Sequence, residues 1–526
     1  MQAHDPEVRL MRTRLLSAGP AARAALALIA AAALLGAAQP AAIAATAAPT
    51  PAIIKGPPQV GLVIAQKKIT VPVFGKNDTF LDPGIFVASF RSPLIFHVQR
   101  AGIGKPITIS QVLHLPGNVT RTVAWPSSTL NGFDGLSRFA TLQIRNSAGK
   151  VVVTRQLTFC PNGFAQPTNA GSRASSPYPQ ECSAFDPFQL SMVWGIARGW
   201  AAEPGDGGIA AHLTAGHTYK ITETVAQIYT KLLHISAASA TATVTAKAVK
   251  AGVGVFPATP ASVHRSIRTG SARDTARHGA LPVLRSNVPT LRHPPAAALP
   301  DLVPLPSFGI STSHLRASKG TPARNLLDFD ATVSVAGHAQ LDVEGFRDNG
   351  STTMKAYQYF WRHGHIIGRA RAGTMGFEGA DNAWHFQQFA RYELLNAGKQ
   401  DVVASHKEGF CIAPTDPISL LLPGAVWQPG FTGLIGACGV QSALAVQEQL
   451  PLGWADTYGQ FSPGESFDIT NVPNGTYYIE IAANPLGVLH ETSTANDISL
   501  RKIILGGTTA HRTVRVPAVD GIDPEH

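Results

Sequence analysis

The chain has 526 residues, 44% apolar and only 14% charged, with 49 Gly, 39 Pro and a formal net charge of +10. That apolar fraction excludes a wholly disordered chain, and so many prolines exclude an all-helical one, since each fixes φ and removes a backbone donor. The length exceeds what a single core usually organises, so more than one folded part is expected.

Arg9, Arg12, Arg14 and Arg23 precede an apolar run over 24–38, and Ala-x-Ala sites follow at Ala42-Ile43-Ala44 and Ala45-Thr46-Ala47. A basic start, a short apolar run and a small-residue cleavage site together make a secretory signal, here residues 1–47. Initiation at Met11 would shorten the basic start to a more typical length. The run is too short and too Ala-rich for a membrane anchor, which needs about 20 apolar residues, and no later run reaches that length. The reading is therefore a secreted, extracellular protein with no transmembrane anchor. In that oxidising setting the four cysteines read as two disulfides, with Cys160–Cys182 and Cys411–Cys438 the economical local pairing. No Cys-x-x-Cys spacing points to zinc.

From Val60 to Val249 the text is strand-like. Lys68-Ile69-Thr70-Val71-Pro72-Val73, Arg138-Phe139-Ala140-Thr141-Leu142-Gln143-Ile144 and Thr218-Tyr219-Lys220-Ile221-Thr222-Glu223-Thr224-Val225 alternate apolar and polar residues between Gly, Pro and Asn breaks. That pattern predicts an antiparallel β-sandwich domain over 60–249. It carries no catalytic constellation, so a structural or adhesive role is expected.

Over 250–298 the composition turns to Ala, Pro, Ser and Arg. Between Lys247 and Pro300, Lys247, Lys250, Arg265, Arg268, Arg273, Arg277, Arg285 and Arg292 face the single acid Asp274. Low hydrophobicity with net charge predicts a disordered basic linker, either a solvated spacer or a segment drawn to anionic cell-wall polymer or lipid headgroups. Nucleic acid is not expected, since no binding motif accompanies the charge.

The second half, 299–507, again reads as strands, with Val472-Pro473-Asn474-Gly475 as a turn before Tyr477-Tyr478-Ile479-Glu480-Ile481. A second antiparallel sandwich makes the whole chain all-β, and residues 508–526 read as a C-terminal tail. Within this half stand Trp384-His385-Phe386 leading to Tyr392-Glu393-Leu394-Leu395, then Ser405-His406-Lys407-Glu408-Gly409-Phe410-Cys411. Gly453-Trp454-Ala455-Asp456-Thr457-Tyr458-Gly459 and Phe467-Asp468-Ile469-Thr470 follow, and the last block runs from Asn484-Pro485 through Glu491-Thr492 to Asn496-Asp497.

In order and spacing these blocks resemble the catalytic domain of the lysyl oxidase family, over about two fifths of the chain. The resemblance implies a copper-dependent oxidoreductase that oxidises primary amines, such as peptidyl lysine on extracellular protein, to aldehyde. It implies an organic cofactor, lysine tyrosylquinone, formed here from Lys407 and Tyr458. The family's copper is held by a His-x-His-x-His strand, whose period-two alternation puts three imidazoles on one face. In this chain those positions are Asp381, Ala383 and His385. His385 and Asp381 are then the metal-ligand candidates. His363 and His365, spaced by two in Trp361-Arg362-His363-Gly364-His365, are further candidates, as are His406 and His490. The alternative is a non-catalytic adhesion or binding module on the same scaffold. A hydrolase is excluded, since there is no Gly-x-Ser-x-Gly elbow and no Ser-His-Asp arrangement.

Overall fold

The computed structural model describes residues 59–525 except 116–118, 174, 206–207, 252–286, 349, 380–381, 406, 408, 430–433, 435–437, 461 and 463. The expected signal segment and most of the expected linker lie outside the described residues. The chain is all-β, with strands from Val60 to Arg515 and one six-residue helix, Gln227–Leu232, among the described residues.

The N-terminal half is built from sheets whose inward rows can be read from the alternation. Strand Thr218–Val225 buries Tyr219, Ile221, Glu223 and Val225 and turns the intervening threonines and Lys220 outward. It sits in a five-stranded sheet ordered Lys68–Val73, Thr241–Lys250, Thr218–Val225, Leu136–Asn146, Val151–Phe159. The first of these pairs is parallel, a departure from the expected all-antiparallel sandwich. Two four-stranded sheets, one around Ile85–Ser89 and one around Leu94–Gln99, and a two-stranded sheet of Asp78–Leu81 with Ile209–His212 complete this half among the described residues. Phe96, Phe139, Phe159 and Trp194 are among the fully buried rings of its core. Cys160 is bonded to Cys182, and the Trp194 indole donates to the Cys182 carbonyl at 2.8 Å.

In the C-terminal half the 14-residue strand Arg324–Gly337 serves two neighbourhoods. Its first part pairs with Phe308–Leu315 and Ser466–Asp468, and its second with Pro300–Pro304 and Trp454–Tyr458. A six-stranded sheet runs Gly409–Phe410, Ala383–Gln387, His365–Glu378, Thr353–Arg362, Leu341–Arg347, Ala445–Leu450. A five-stranded sheet runs Asp401–Ala404, Ala390–Asn396, Gly475–Ala483, Ile498–Thr508, His511–Arg515. Among the described residues the strand ladders in this half are antiparallel, and the isolated bridge Thr290–Arg369 is parallel.

The end of the expected linker and the C-terminal segment pack more closely than the composition predicts. Leu291 of the expected linker donates its backbone N–H to Arg369 and packs beside Phe360 and Ala370. The C-terminal half thus begins near Val288, before Leu299. The expected tail is also fixed: Glu525 accepts from the Ile310 N–H at 2.8 Å, and Val519 and Ile522 pack on Phe188 and Phe308. The halves themselves share backbone hydrogen bonds. Leu190 and Ser191 both donate to the Ile418 carbonyl, and the Phe185 N–H donates to Asp416 at 2.7 Å. Tyr178 and Trp427 stack with centroids 5.9 Å apart. Among the described residues no helix is long and apolar enough to cross a membrane.

Candidate functional site

Strand Trp454–Tyr458 sets the site, because period two puts Asp456 and Tyr458 on one face. The segment carrying Lys407 passes that face on its way into Gly409–Phe410. Ser405 holds it in place: its Oγ donates to the Gly464 carbonyl at 2.9 Å and accepts from the Lys407 N–H at 3.0 Å. Gly464 has φ +90, and a Cβ there would fall 2.9 Å from Lys407 Cβ. Only glycine permits this approach.

The Lys407 ammonium lies 4.2 Å from the Tyr458 ring centroid and 5.2 Å from that of Phe410. The Phe410 ring stands edge-on to Tyr458 at 5.3 Å and to Tyr392 at 5.7 Å. The amine and the phenol assigned to the quinone are therefore neighbours. The phenol is hydrogen-bonded both as donor and as acceptor. Tyr458 Oη accepts from the Cys411 N–H at 2.5 Å and donates to the Cys411 carbonyl at 3.1 Å, and Cys411 is bonded to Cys438. Burial, with Asp456 and Glu448 adding negative charge nearby, raises the Tyr458 pKa well above the ordinary phenol value.

Three carboxyls that the sequence did not single out surround the pair. Asp456, Glu448 and Glu465 are buried, Glu448 and Glu465 completely. Burial pushes all three well above the ordinary carboxyl range, and the Lys407 charge opposes this at Asp456 and Glu465. Glu448 accepts from the Ile412 N–H at 3.2 Å. Among the described residues, both oxygens of Glu465 and the Oδ2 of Asp456 have no hydrogen-bond partner. Asp456 had a readable signal, its period-two spacing from Tyr458. Glu465 and Glu448 had none, because only the fold brings them here.

The expected copper position is different. His385, on strand Ala383–Gln387, is completely buried, and its Nδ1 lies 3.0 Å from Glu378 Oε1. Its register partner is Gly376, while His365 pairs with Arg362 at the far end of the same hairpin. At about 3.3 Å per residue that separation is on the order of 30 Å, so His363 and His365 do not complete the site. His490 packs against Phe360, 5.5 Å between centroids, with its backbone held by Gln358 further along the hairpin. Asp381 and His406 lie outside the described residues. Among the described residues no group of three His, Cys, Asp or Glu side chains is arranged to hold a metal. Ala383 supplies no donor, and the described donors at this position are one imidazole and one carboxylate. That set does not fit a centre expected to have three imidazoles.

The last of the motif blocks is structural in this fold. Asn484 and the Leu302 N–H bond to Glu491, while Asn496 and Thr492 bond to Asp301, which ties the 484–497 loop to strand Pro300–Pro304. Compared with protein-family models and with curated proteins, the sequence matches none.

Proposed function

We propose that this is an exported lysyl oxidase-like protein that works as a non-catalytic extracellular binding or adhesion module. The observation that carries the reading is the donor set at the copper position, where His385 meets Glu378 beside the donorless Ala383. Copper affinity rests on ligand number and type, and both substitutions remove imidazoles. The Tyr458 hydroxyl supports the same reading, since it donates to and accepts from Cys411. Export rests on the leader and agrees with both bonded cysteine pairs. The basic linker supplies charge for an anionic cell-wall polymer.

A second reading is favoured by a specific observation. The 4.2 Å approach of the Lys407 amine to the Tyr458 ring is the juxtaposition that an amine oxidase of this family would need. When formed, a lysine tyrosylquinone would supply the carbonyl that condenses with a primary amine. The residues that would form it are Lys407 and Tyr458, with Asp456 beside them as a proton acceptor. Metal analysis of the purified, exported chain, combined with a quinone redox-cycling stain, separates the two. The expected result is copper far below one per chain and a negative stain. Stoichiometric copper with a positive stain would replace the binding-module reading by the oxidase.

A further inference from the structure

We infer that the N-terminal half binds a small zwitterion, a free amino acid or a short peptide, in a cavity where Glu203 takes the ammonium and Arg155 the carboxylate. This goes beyond the reading above and does not depend on what Lys407 and Tyr458 become.

The cavity, of about 260 Å³, lies at Val151–Phe159, the last strand of its five-stranded sheet. Arg155 and Leu157 of that strand, Glu203, Gly205, Pro83 and Ile209 form its walls. Register explains how charge enters this face. Leu142 pairs with Arg155 on one side and with Glu223 on the other, so the three side chains share one inward row. Arg155 is exposed because its strand is at the edge. Glu223 is only 1% exposed, and among the described residues its Oε1 has no hydrogen-bond partner. Glu203, also buried, follows strand Trp200–Ala202. The Gly205 N–H donates to the Thr158 carbonyl at 2.7 Å and pins this loop against the edge strand, with Gly205 at φ +88. Glu203 donates its proton to Asp82, which leads out of strand Asp78–Leu81 and also accepts from the Gly84 N–H at 2.6 Å.

Opposite charges thus line one cavity without neutralising each other. The charged groups that act on Glu203 are Asp82 and Glu223, both acids, and Arg155 is not among them. Among the described residues the Arg155 guanidinium donates to the Thr154 carbonyl at 3.0 Å, which uses one of the five N–H donors of its fork. An acid pair sharing a proton at one end and a guanidinium fork at the other suit a ligand with an ammonium and a carboxylate. A metal ion suits the place less, since among the described residues no three acid or imidazole side chains converge. Burial with the hydrogen bond to Asp82 raises Glu203 to about 9, and burial raises Glu223 to about 8, so both are protonated in the free protein at neutral pH. The ligand's ammonium takes the place of the proton that Glu203 and Asp82 share, and that proton leaves to solvent. Affinity should therefore rise from about pH 6 toward pH 8.

The test is titration calorimetry of the full exported chain in two buffers of different ionisation enthalpy. The probes are L-alanine and L-alanyl-L-alanine, with propylamine, propionate and calcium chloride as controls. At least one zwitterion is expected to bind with release of about one proton, and about tenfold or more tighter than propylamine or propionate. Which of the two binds better tells a free amino acid from a peptide. Glu203→Gln should weaken that binding about tenfold or more and abolish the proton release, while Arg155→Gln should reduce it to the level of propylamine. No binding of either zwitterion at millimolar concentration would overturn the inference. So would propylamine binding as tightly as the zwitterions, or calcium binding more tightly than both. Arg155 is exposed, so its variant keeps the fold, and the wild-type titrations decide by themselves if Glu203→Gln does not fold.

Discussion

At the scale of single residues, the Tyr458 hydroxyl is the most informative atom in the site. It caps both the N–H and the carbonyl of Cys411 in a half-buried corner, so it does for a loop what a ladder partner does for a strand. Tyr458→Phe leaves both groups of Cys411 without their partner. The expected loss is about 1–3 kcal/mol, measured by urea unfolding at neutral pH. An unchanged unfolding midpoint would mean that water replaces the hydroxyl, and the phenol would then be free for other chemistry. Residue-scale reading of the sequence found Lys407 and Tyr458 because each sits in a recognisable block. It missed Glu465 and Glu448, since an isolated acid in a turn or strand carries no local mark of burial.

At the scale of elements, the register of the hairpin Thr353–Arg362/His365–Glu378 separates histidines that the text sets only twenty residues apart. Spacing by two at His363 and His365 is genuine, but it belongs to a turn in which His363 and Gly364 both have positive φ. His385 belongs to the opposite end, where strand Ala383–Gln387 meets Gly409–Phe410. The disulfide Cys411–Cys438 then pins this end over a sequence separation of 27. Removing it as Cys411→Ser/Cys438→Ser is expected to cost about 3.5 kcal/mol through the entropy of the freed loop. Denaturant titration of the double variant checks this, and the unbound loop should also loosen the Phe410 ring that stands against Tyr458. Alternation made most strands legible, as in Thr218–Val225. It failed where strands are buried on both faces, as in Ala445–Leu450, whose Gln447, Glu448 and Gln449 are all buried.

At the scale of the whole molecule, buried acids set the response to pH. Burial, with Asp416 adding to it, raises Asp186 to about 8; burial raises Asp330 to about 7 and Glu223 to about 8. Burial, with a hydrogen bond to Asp82, raises Glu203 to about 9. Each folded value lies above the unfolded one, so the protonated form is favoured in the fold. That contribution is complete below the unfolded carboxyl range and is lost as pH rises through the folded values. Thermal stability should therefore be highest on the acid side of neutrality and fall between about pH 5 and pH 9. A scan of melting temperature across that window checks it, and a rise toward pH 9 would contradict the burial of these groups. Asp186 and Asp416 lie where the halves meet, so the alkaline loss should also weaken the pairing of Ser191 with Ile418.

The sequence by itself determined the strand content, the disulfide partners and the basic character of the segment between the halves. Each of these depends on local periodicity, on chain distance or on composition, which are properties of neighbours along the chain. The three-dimensional fold alone decided which acids surround Lys407, which histidine stays with Glu378, and how the C-terminal segment docks. Those outcomes depend on register and on close approach between segments that lie from 7 to 215 residues apart, and a one-residue slip in any ladder would turn the side chains concerned to the other face.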